Sequence, residues 1–430
     1  MATPVFCCGF ECGAIRHGTV AVGQHLDESA GNGASVFNFD TTTVRSGQRS
    51  FMVNTVGFGG ARSLPFTTGP FSSGTTKVWR KYINFETVPA VDTLLLWFAY
   101  STTLAGLAYK VSDGKLYAAV SNAGVITFGA TGVSVTTGQW YRIDGKVVGD
   151  VVTGTCDISV DGTACGQHTS AFVNASATAP NFGETADSDL KYFLDDFVYS
   201  ETAADYPLGA GYVDHFVPTS DGTHNVAGAA DFRRSATSTD ILNATTTAYQ
   251  LVDDVPLKAT TPTEYINMLA PPNATDYVEC VFGPAPGIST PTTGPRFVEV
   301  IALVAQAGTG AGNMEIRLND NGTMGTVYTA TAVAGIVAGK YVRAGWADPP
   351  SAATVWNAAN DGGNGDFRDL RVRFGSPGTL DVNPDQYFAS IMIEAEFEDA
   401  TVPQQKNWIR TGHVQNMYGV RPGRFAGRSW

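Results

Sequence analysis

The sequence predicts an all-β protein with two sandwich domains followed by an extended C-terminal arm. Apolar and polar residues alternate in many short segments, and the helical period of 3.6 residues is almost absent. Turn-forming residues separate these segments roughly every 8 to 12 residues, a spacing typical of sandwiches and barrels. Glycine (48 residues) and proline (21 residues) are abundant in the chain of 430 residues, which favours many tight turns.

The first predicted domain covers residues 1–203 and is a β-sandwich. In the segment 141–147, apolar side chains share one face of a strand and charged side chains occupy the other. The dipeptides Asp113-Gly114 and Asp161-Gly162 each separate two apolar segments, which predicts two β-hairpins. We expect the core of this domain to contain five large apolar side chains: Trp79, Trp97, Trp140, Ile143 and Phe197.

The second predicted domain covers residues 204–400 and is also a β-sandwich. The boundary lies in the stretch 200–211, which is rich in small residues and contains glycine and proline. Glutamates alternate with apolar side chains over residues 391–398, which predicts a strand with one face in water. Seven segments of this domain are predicted strands: 277–282, 297–306, 314–318, 326–333, 341–346, 370–374 and 387–398.

Residues 401–430 form a third unit, the arm, because the alternation stops there. The arm has five basic residues and no acidic ones, whereas the first 400 residues contain 22 basic and 40 acidic residues, a formal charge of −18. Aromatic residues and arginine often anchor protein interfaces. We predict that the arm docks onto an acidic neighbouring subunit, and the alternative is a solubilising tail. Its candidate contact residues are Lys406, Trp408, Arg410, Tyr418, Arg421, Arg424, Phe425, Arg428 and Trp430.

The composition disfavours several partners and compartments. A net charge of −13 disfavours nucleic acid, and no apolar run reaches the roughly 18 residues that a membrane span needs. The N-terminus lacks the basic leader and apolar segment of a signal peptide.

Six cysteines are too few for a disulfide scaffold in a chain of this length. We expect free thiols at Cys156 and Cys165, because the register of the hairpin between them does not favour a bridge. The state of Cys7, Cys8 and Cys12 stays open, and Cys7–Cys12 is the best-placed bridge in an oxidising environment.

Short motifs in both domains carry a family resemblance. In the first domain they are Phe10-Glu11-Cys12-Gly13, Ser46-Gly47-Gln48-Arg49-Ser50, Gln139-Trp140-Tyr141-Arg142-Ile143, Val160-Asp161-Gly162-Thr163 and Leu194-Asp195-Asp196-Phe197. With them, the domain resembles the laminin-G-like, concanavalin-A-type jelly roll of tailed-bacteriophage structural proteins. In the second domain, the segments 212–223, 249–256, 356–357 and 393–397 are similar to the region that follows this jelly roll in phage virion proteins.

This resemblance implies a virion protein made in the host cytoplasm, without a signal peptide. Its implied partners are other virion subunits and further copies of the same chain, with host-surface glycans as an optional ligand. Neither nucleic acid nor a membrane is an expected partner. Whether the chain belongs to the head or the tail stays open, as do its copy number and any glycan it contacts.

Asp195 and Asp196 are the most conspicuous carboxylate pair. Neighbouring side chains on one strand point to opposite faces, so the two cannot flank one sugar bond as a glycosidase requires. We expect one of them to accept hydrogen bonds from backbone donors at a strand end and the other to meet solvent. The alternative is a calcium site in which Asp187 and Asp189 contribute oxygens together with Asp195. No other metal or cofactor is expected.

The remaining sequence contains no catalytic motif. The six histidines are scattered, and the chain has no HExxH, no paired-cysteine zinc spacing, no P-loop and no GxSxG. Together with the resemblance to phage virion proteins, this predicts a non-enzymatic structural or adhesion component of a tailed-phage particle, in the tail, the collar or the head decoration. The alternative is a depolymerase that degrades polysaccharide on the concanavalin-like scaffold.

Overall fold

The computed structural model describes most of the chain before residue 400. Nearly all regular structure within these residues is β-strand, with two short 3-10 helices at Ala203–Asp205 and Ala248–Leu251, so the predicted all-β class is confirmed. None of the helices in this part of the chain has the length and apolar character needed to cross a membrane. The described ranges are 6–11, 16–17, 27–28, 36–65, 74–177, 180–225, 232–234, 248–253, 265–268, 277–285, 293–306, 313–320, 322–331, 340–351, 355–357, 370–375 and 386–399.

The first half of the chain supplies the strands of a sandwich. They are β1 (Phe6–Cys8), β2 (Arg16–His17), β3 (Asp27–Glu28), β4 (Phe37–Asp40), β5 (Ser50–Asn54), β6 (Arg62–Pro65), β7 (Thr76–Thr87), β8 (Thr93–Tyr100), β9 (Thr103–Lys110), β10 (Lys115–Asn122), β11 (Val125–Phe128), β12 (Val133–Ser134), β13 (Trp140–Val148), β14 (Gly154–Val160), β15 (Thr163–Ser170), β16 (Pro180–Glu184) and β17 (Lys191–Ser200).

Apart from β2 and β3, which pair with each other in parallel, these strands form two antiparallel sheets. Sheet I has the order β15-β14-β13-β7-β17-β5-β4, with β1 paired to β17. Sheet II has the order β11-β10-β9-β8-β16-β6, with β12 beside β10. Strands that are distant in sequence lie side by side, as β7 and β17 do, which is the crossover pattern of a jelly-roll-like sandwich.

Aromatic side chains of the two sheets meet in the core between them. The rings of Trp79 and Phe98 lie 5.2 Å apart, and those of Phe182 and Phe197 lie 5.3 Å apart. Trp79, Ile143 and Phe197 are fully buried in this core, so three of the five expected core residues are confirmed.

The other two predicted core residues differ from expectation. Trp97 is buried but lies on the opposite face of sheet II, in a small cluster with Leu94, Ala108 and Ala119. Trp140 is only half-buried, because it is the first residue of β13 and lies at the end of the sandwich.

The hairpin at Asp161-Gly162 forms as the sequence predicts. Both residues have positive φ angles, 50° and 81°, which suit a two-residue turn. A bulge follows in the β14–β15 ladder, and Cys156 pairs with His168. Cys156 and Cys165 are buried free thiols as expected, and Cys7 is also a buried free thiol, whereas Cys12 lies outside the described residues.

The second half of the chain supplies a further set of strands. All seven predicted segments form strands, each with bounds within a few residues of the prediction. The set comprises β18 (Gly211–Asp221), β19 (Phe232–Arg234), β20 (Ile266–Met268), β21 (Tyr277–Pro284), β22 (Pro295–Gln306), β23 (Asn313–Asp320), β24 (Thr323–Met324), β25 (Tyr328–Thr331), β26 (Lys340–Trp346), β27 (Leu370–Gly375) and β28 (Gln386–Glu398).

These strands form one large antiparallel sheet, sheet III, that folds around its own core. Its order is β19-β20-β28-β18-β21-β27-β23-β24, with β22 joining β28 to β26 and β25 beside β23. Strands far apart in this order share one buried cluster, so the sheet curls into two layers. Phe374 of β27 and Phe388 of β28 meet in that cluster at 4.7 Å.

Sheet III packs on the outer face of sheet I. Val78 and Val198 alternate along their strands with core-facing residues and therefore point away from the first core. Together with Cys7 they contact Val213 and Phe297 of sheet III. The short strand β1 lies at this contact, since it pairs with β17 and also contacts β22 and β28. The described body is thus a stack in which the second sandwich covers one side of the first.

Candidate functional site

A buried cluster of charged side chains lies where sheet III meets sheet I, and we call it the ionic interface. On β28, Ile393, Ala395 and Phe397 point into the second core, so the intervening glutamates point toward the first sandwich. Arg45 and Arg296 are 15% and 14% exposed, and the other members are buried. The ionic interface consists of Glu11, Arg45, Arg80, Asp195 and Asp196 from the first half and His215, Arg296, Glu299, Arg343, Glu394 and Glu396 from the second.

Two arginines from different halves of the chain share Glu396. Arg80 donates to Glu396 Oε1 at 2.8 Å, and Arg296 Nε donates to Oε2 at 2.7 Å with a second bond from its Nη2. Burial acts to raise the pKa of Glu396, but the two guanidiniums lower it below its ordinary value. Glu396 is therefore the ionised centre of a triad that joins both sandwiches.

Arg343 holds two further glutamates and the N-terminal strand. Its Nη1 donates to Glu299 at 2.8 Å, to Glu394 at 3.3 Å and to the carbonyl oxygen of Cys7 at 3.2 Å. One positive charge therefore faces two buried carboxylates, so their negative charge is only partly neutralised. Burial raises the pKa of Glu299 to about 7 and also raises that of Glu394.

Asp195 and Asp196 lie at a bulge of β17 and both belong to the ionic interface. Asp195 accepts backbone N–H bonds from Arg45 at 2.9 Å and Ser46 at 3.3 Å, as expected for the backbone-binding member of the pair. Asp196, with a φ of 51°, accepts from the guanidinium of Arg45, from Ser46 Oγ and from the N–H of Val213 at 2.6 Å. The expectation that one of the two meets solvent is wrong, because both are fully buried.

Glu11 joins two of the sequence motifs that carried the family resemblance. Its Oε1 accepts the backbone N–H groups of Gln48 at 2.7 Å and Arg49 at 3.0 Å. Gly47 has a φ of 62°, and a Cβ there would lie 1.9 Å from Glu11 Oε1, so the motif requires glycine. His215 Nδ1 lies 3.5 Å from Glu11 Oε2, and burial lowers the pKa of His215 to about 4, which makes it neutral.

The water-exposed face predicted for residues 391–398 is mostly buried instead. Glu394 and Glu396 are fully buried, and only Glu398 is exposed. Alternation with apolar residues correctly identified the strand and its core face. Alternation alone did not reveal that arginines of other strands cover the opposite face.

The calcium candidates of the sequence do not come together. Asp187 and Asp189 are exposed, and Asp189 accepts the N–H of Gly57 at 2.8 Å. Asp195 is occupied in the ionic interface. Among the described residues, no group of three or more His, Cys, Asp or Glu side chains is placed to hold a metal ion.

The predicted contact residues of the arm lie outside the described residues. These are Lys406, Trp408, Arg410, Tyr418, Arg421, Arg424, Phe425, Arg428 and Trp430.

Comparison with known proteins gives weak likenesses only. No protein-family model and no curated protein matches the chain. Among solved structures, a cellulose-induced protein, Cip1, is 15% identical, with 39% of this chain and 85% of that chain covered and a TM-score of 0.28. The carbohydrate-binding module CBM66 from Bacillus subtilis is 10% identical, with 35% and 86% covered and a TM-score of 0.26.

One likeness extends over nearly the whole chain. The tandem CBM22 domains of Xyn10C from Paenibacillus barcinonensis are 12% identical, with 91% of this chain and 97% of that chain covered and a TM-score of 0.25. TM-scores this low carry no argument about function. The all-β sandwich architecture is established by the strand pairing itself.

Proposed function

We propose that this chain is a non-enzymatic structural and adhesion component of a tailed-phage particle. In this role it holds two β-sandwiches as one rigid unit, assembles with other virion subunits and with its own copies, and contacts surface glycans. The observation that supports the proposal is the ionic interface. It places carboxylates and arginines of both halves in a contact between the sandwiches, where their ion pairs hold the halves together.

The ionic interface also argues against hydrolysis. A glycosidase needs two carboxyl groups that flank a substrate in an accessible cleft. Asp195 and Asp196, the carboxylate pair considered for this chemistry, and Glu394 and Glu396 of β28 are buried and bonded to arginines or backbone N–H groups. Carboxylates held in this way position the arginines and backbone around them and cannot contact a sugar. The sequence resemblance to phage jelly rolls supports the virion setting.

Electron microscopy of purified particles with gold-labelled antibody against this chain tests the proposal. We expect label at regular positions on the particle, together with the chain among the particle proteins by mass spectrometry. Incubation of the pure protein with host polysaccharide should release no reducing sugar. Sugar release, or particles that lack the chain, would contradict the proposal.

A further inference from the structure

A second cluster of charges lies on sheet III, on strands that do not contribute to the ionic interface. In the ladders of β21, β27 and β23, Glu279 lies directly opposite Arg373, and Arg373 directly opposite Arg317. Arg371 lies two residues before Arg373 and shares its face of the sheet. Val278, Val372 and Leu318 alternate with these residues and face the core. We call the outward set, Arg317, Arg371 and Arg373 with Tyr277, Glu279 and Glu315, the arginine face.

Glu279 holds two of these guanidiniums in place. It is fully buried and accepts from Arg373 Nε at 2.5 Å and from Arg371 Nη1 at 3.4 Å. Asn319 Nδ2 and the N–H of Thr223 also donate to it, at 2.6 and 3.0 Å. Burial acts to raise the pKa of Glu279, but these donors lower it, so the carboxylate is ionised at neutral pH. Arg373 also stacks on Tyr277, 4.1 Å from the ring centroid.

The arginines keep open donors toward solvent. Each guanidinium has five N–H donors, and the bonds to Glu279 and Glu315 use one from each of Arg371, Arg373 and Arg317. Their side chains are 39%, 23% and 37% exposed. The face therefore presents oriented guanidinium forks whose conformational entropy has already been reduced.

The charge of the face is opposite to that of the chain. Three arginines against two glutamates give a local surplus of positive charge, in a chain with a net charge of −13. Guanidinium forks bind carboxylates in bidentate geometry. Cβ atoms on neighbouring strands lie about 5 Å apart, so one acidic polymer can engage several forks at once.

We infer that the arginine face binds a carboxylated polysaccharide, such as a chain of uronic acids. This inference deepens the proposed function, since it names the class of glycan and the site that contacts it. A sheet face with several open forks and a neighbouring tyrosine ring suits an extended sugar chain that carries repeated carboxylates.

Isothermal titration calorimetry of the full chain tests the inference, with polygalacturonate, alginate and hyaluronate as the carboxylated probes. We expect binding to at least one of the three, which weakens as salt increases. Fully methyl-esterified polygalacturonate and neutral dextran should not bind. Arg371→Gln and Arg317→Gln should each weaken binding about tenfold, because both residues are partly exposed and can be replaced without leaving a fully buried partner unpaired.

A matched control separates the face from the overall charge of the protein. Lys191→Gln removes a cation of similar exposure, paired with Glu86 on the first sandwich, and should leave binding unchanged. Circular dichroism verifies that each variant folds. Arg371→Lys keeps the charge but loses the fork, and should bind with intermediate affinity.

Several outcomes would overturn the inference. They are no binding to any carboxylated probe, equal binding to the methyl ester, or unchanged affinity in folded Arg371→Gln and Arg317→Gln. Binding of poly-glutamate as strong as that of the sugars, with the same arginine dependence, would assign the face to acidic proteins instead. Failure of the proposed function is a separate result, because the particle experiment does not depend on polysaccharide binding.

Discussion

Lys81 occupies a core-facing position of β7 between Trp79 and Ile83. Its side chain is fully buried, its Nζ has no hydrogen-bond partner in the described structure, and the ring of Phe182 lies 5.6 Å away. Burial lowers the pKa of this amine well below its ordinary value. A buried amine without a partner costs free energy, because the fold must either desolvate the charge or remove the proton.

We predict that Lys81→Met stabilises the protein and raises the Tm by about 3 °C or more at pH 7, since methionine fills a similar volume without the polar atom. At a pH between the lowered folded pKa of Lys81 and its unfolded pKa of about 10.4, the unfolded chain binds a proton that the folded chain lacks, so wild-type stability should rise with pH across that window. This rise should be absent in Lys81→Met, as measured by calorimetry from pH 7 to 10. The partly exposed Lys191→Met is the control, and a lower Tm for Lys81→Met would contradict the prediction.

Trp79 and Trp140 form a matched pair for testing the core. Trp79 is fully buried and covers Gly145, where an added Cβ would lie 2.1 Å from the indole Cζ2. Trp79→Ala should lower the free energy of unfolding by roughly 3–5 kcal/mol, as large core truncations do. Trp140→Ala should cost clearly less, because the side chain is half-buried. Denaturant titration measures both, and equal losses would show that the burial difference has no energetic effect.

At the scale of a single element, the two faces of strand β28 lie in different environments. Its apolar side chains fill the second core and its glutamates complete the ionic interface. Glu396→Ala should lower the free energy of unfolding by about 3–5 kcal/mol, because Arg80 would remain buried without its carboxylate. Glu398→Ala, on the same strand but exposed, should change it by less than about 0.5 kcal/mol. If denaturant titration gives both variants the same stability, Glu396 does not hold the interface.

The sequence was sufficient to predict the strands because alternation and turn signals are local. The two turn residues Asp161 and Gly162 are enough to predict that Val160 pairs with Thr163 in the β14–β15 hairpin. In the second half, the strands form where apolar and polar residues alternate in the sequence. The ionic interface could not be predicted in this way, because an alternating glutamate has the same pattern whether water or an arginine covers it. Arg80 and Glu396 are 316 residues apart, and no local rule joins them. The core position of Lys81 was missed because a charged residue interrupts the apolar pattern.

For the molecule as a whole, the ionic interface should make stability depend on pH. The pKa of Glu299 is about 7 in the fold and about 4.3 in an unfolded chain. The folded state therefore binds more protons between these values, and this contribution to stability is fully present below about pH 4.3 and lost as the pH rises through 7. Glu299→Gln removes it while keeping the side-chain shape.

We predict that the Tm of wild type relative to Glu299→Gln falls as the pH rises from 5 to 8. The difference between the two proteins isolates Glu299, because His215 titrates in the same window with the opposite sign and is present in both. Calorimetry at half-unit steps gives the curve. A difference that stays constant across this range would contradict the raised pKa of Glu299.

The arm of residues 401–430 gives an assembly prediction that rests on its sequence. Deletion of residues 404–430 should leave the Tm of the body nearly unchanged, because the segment has no alternating apolar face with which to join a core. The same deletion should abolish incorporation into particles or oligomers, since it removes the basic and aromatic anchors. Quantitative mass spectrometry of particles and light scattering of the pure protein measure the two effects. Assembly at wild-type levels would reduce the arm to a solubilising tail.

The position of Glu396 on the last described strand also affects how the protein is made. At about 5 to 20 residues per second, a ribosome needs roughly 15 to 60 s to extend the chain from Arg80 to its carboxylate partner. During that time the outer face of sheet I carries a cation without its partner beside uncovered valines, and water must solvate it. Only chains translated through Glu396 can bury this face, so truncated products should stay accessible to chaperones and proteases.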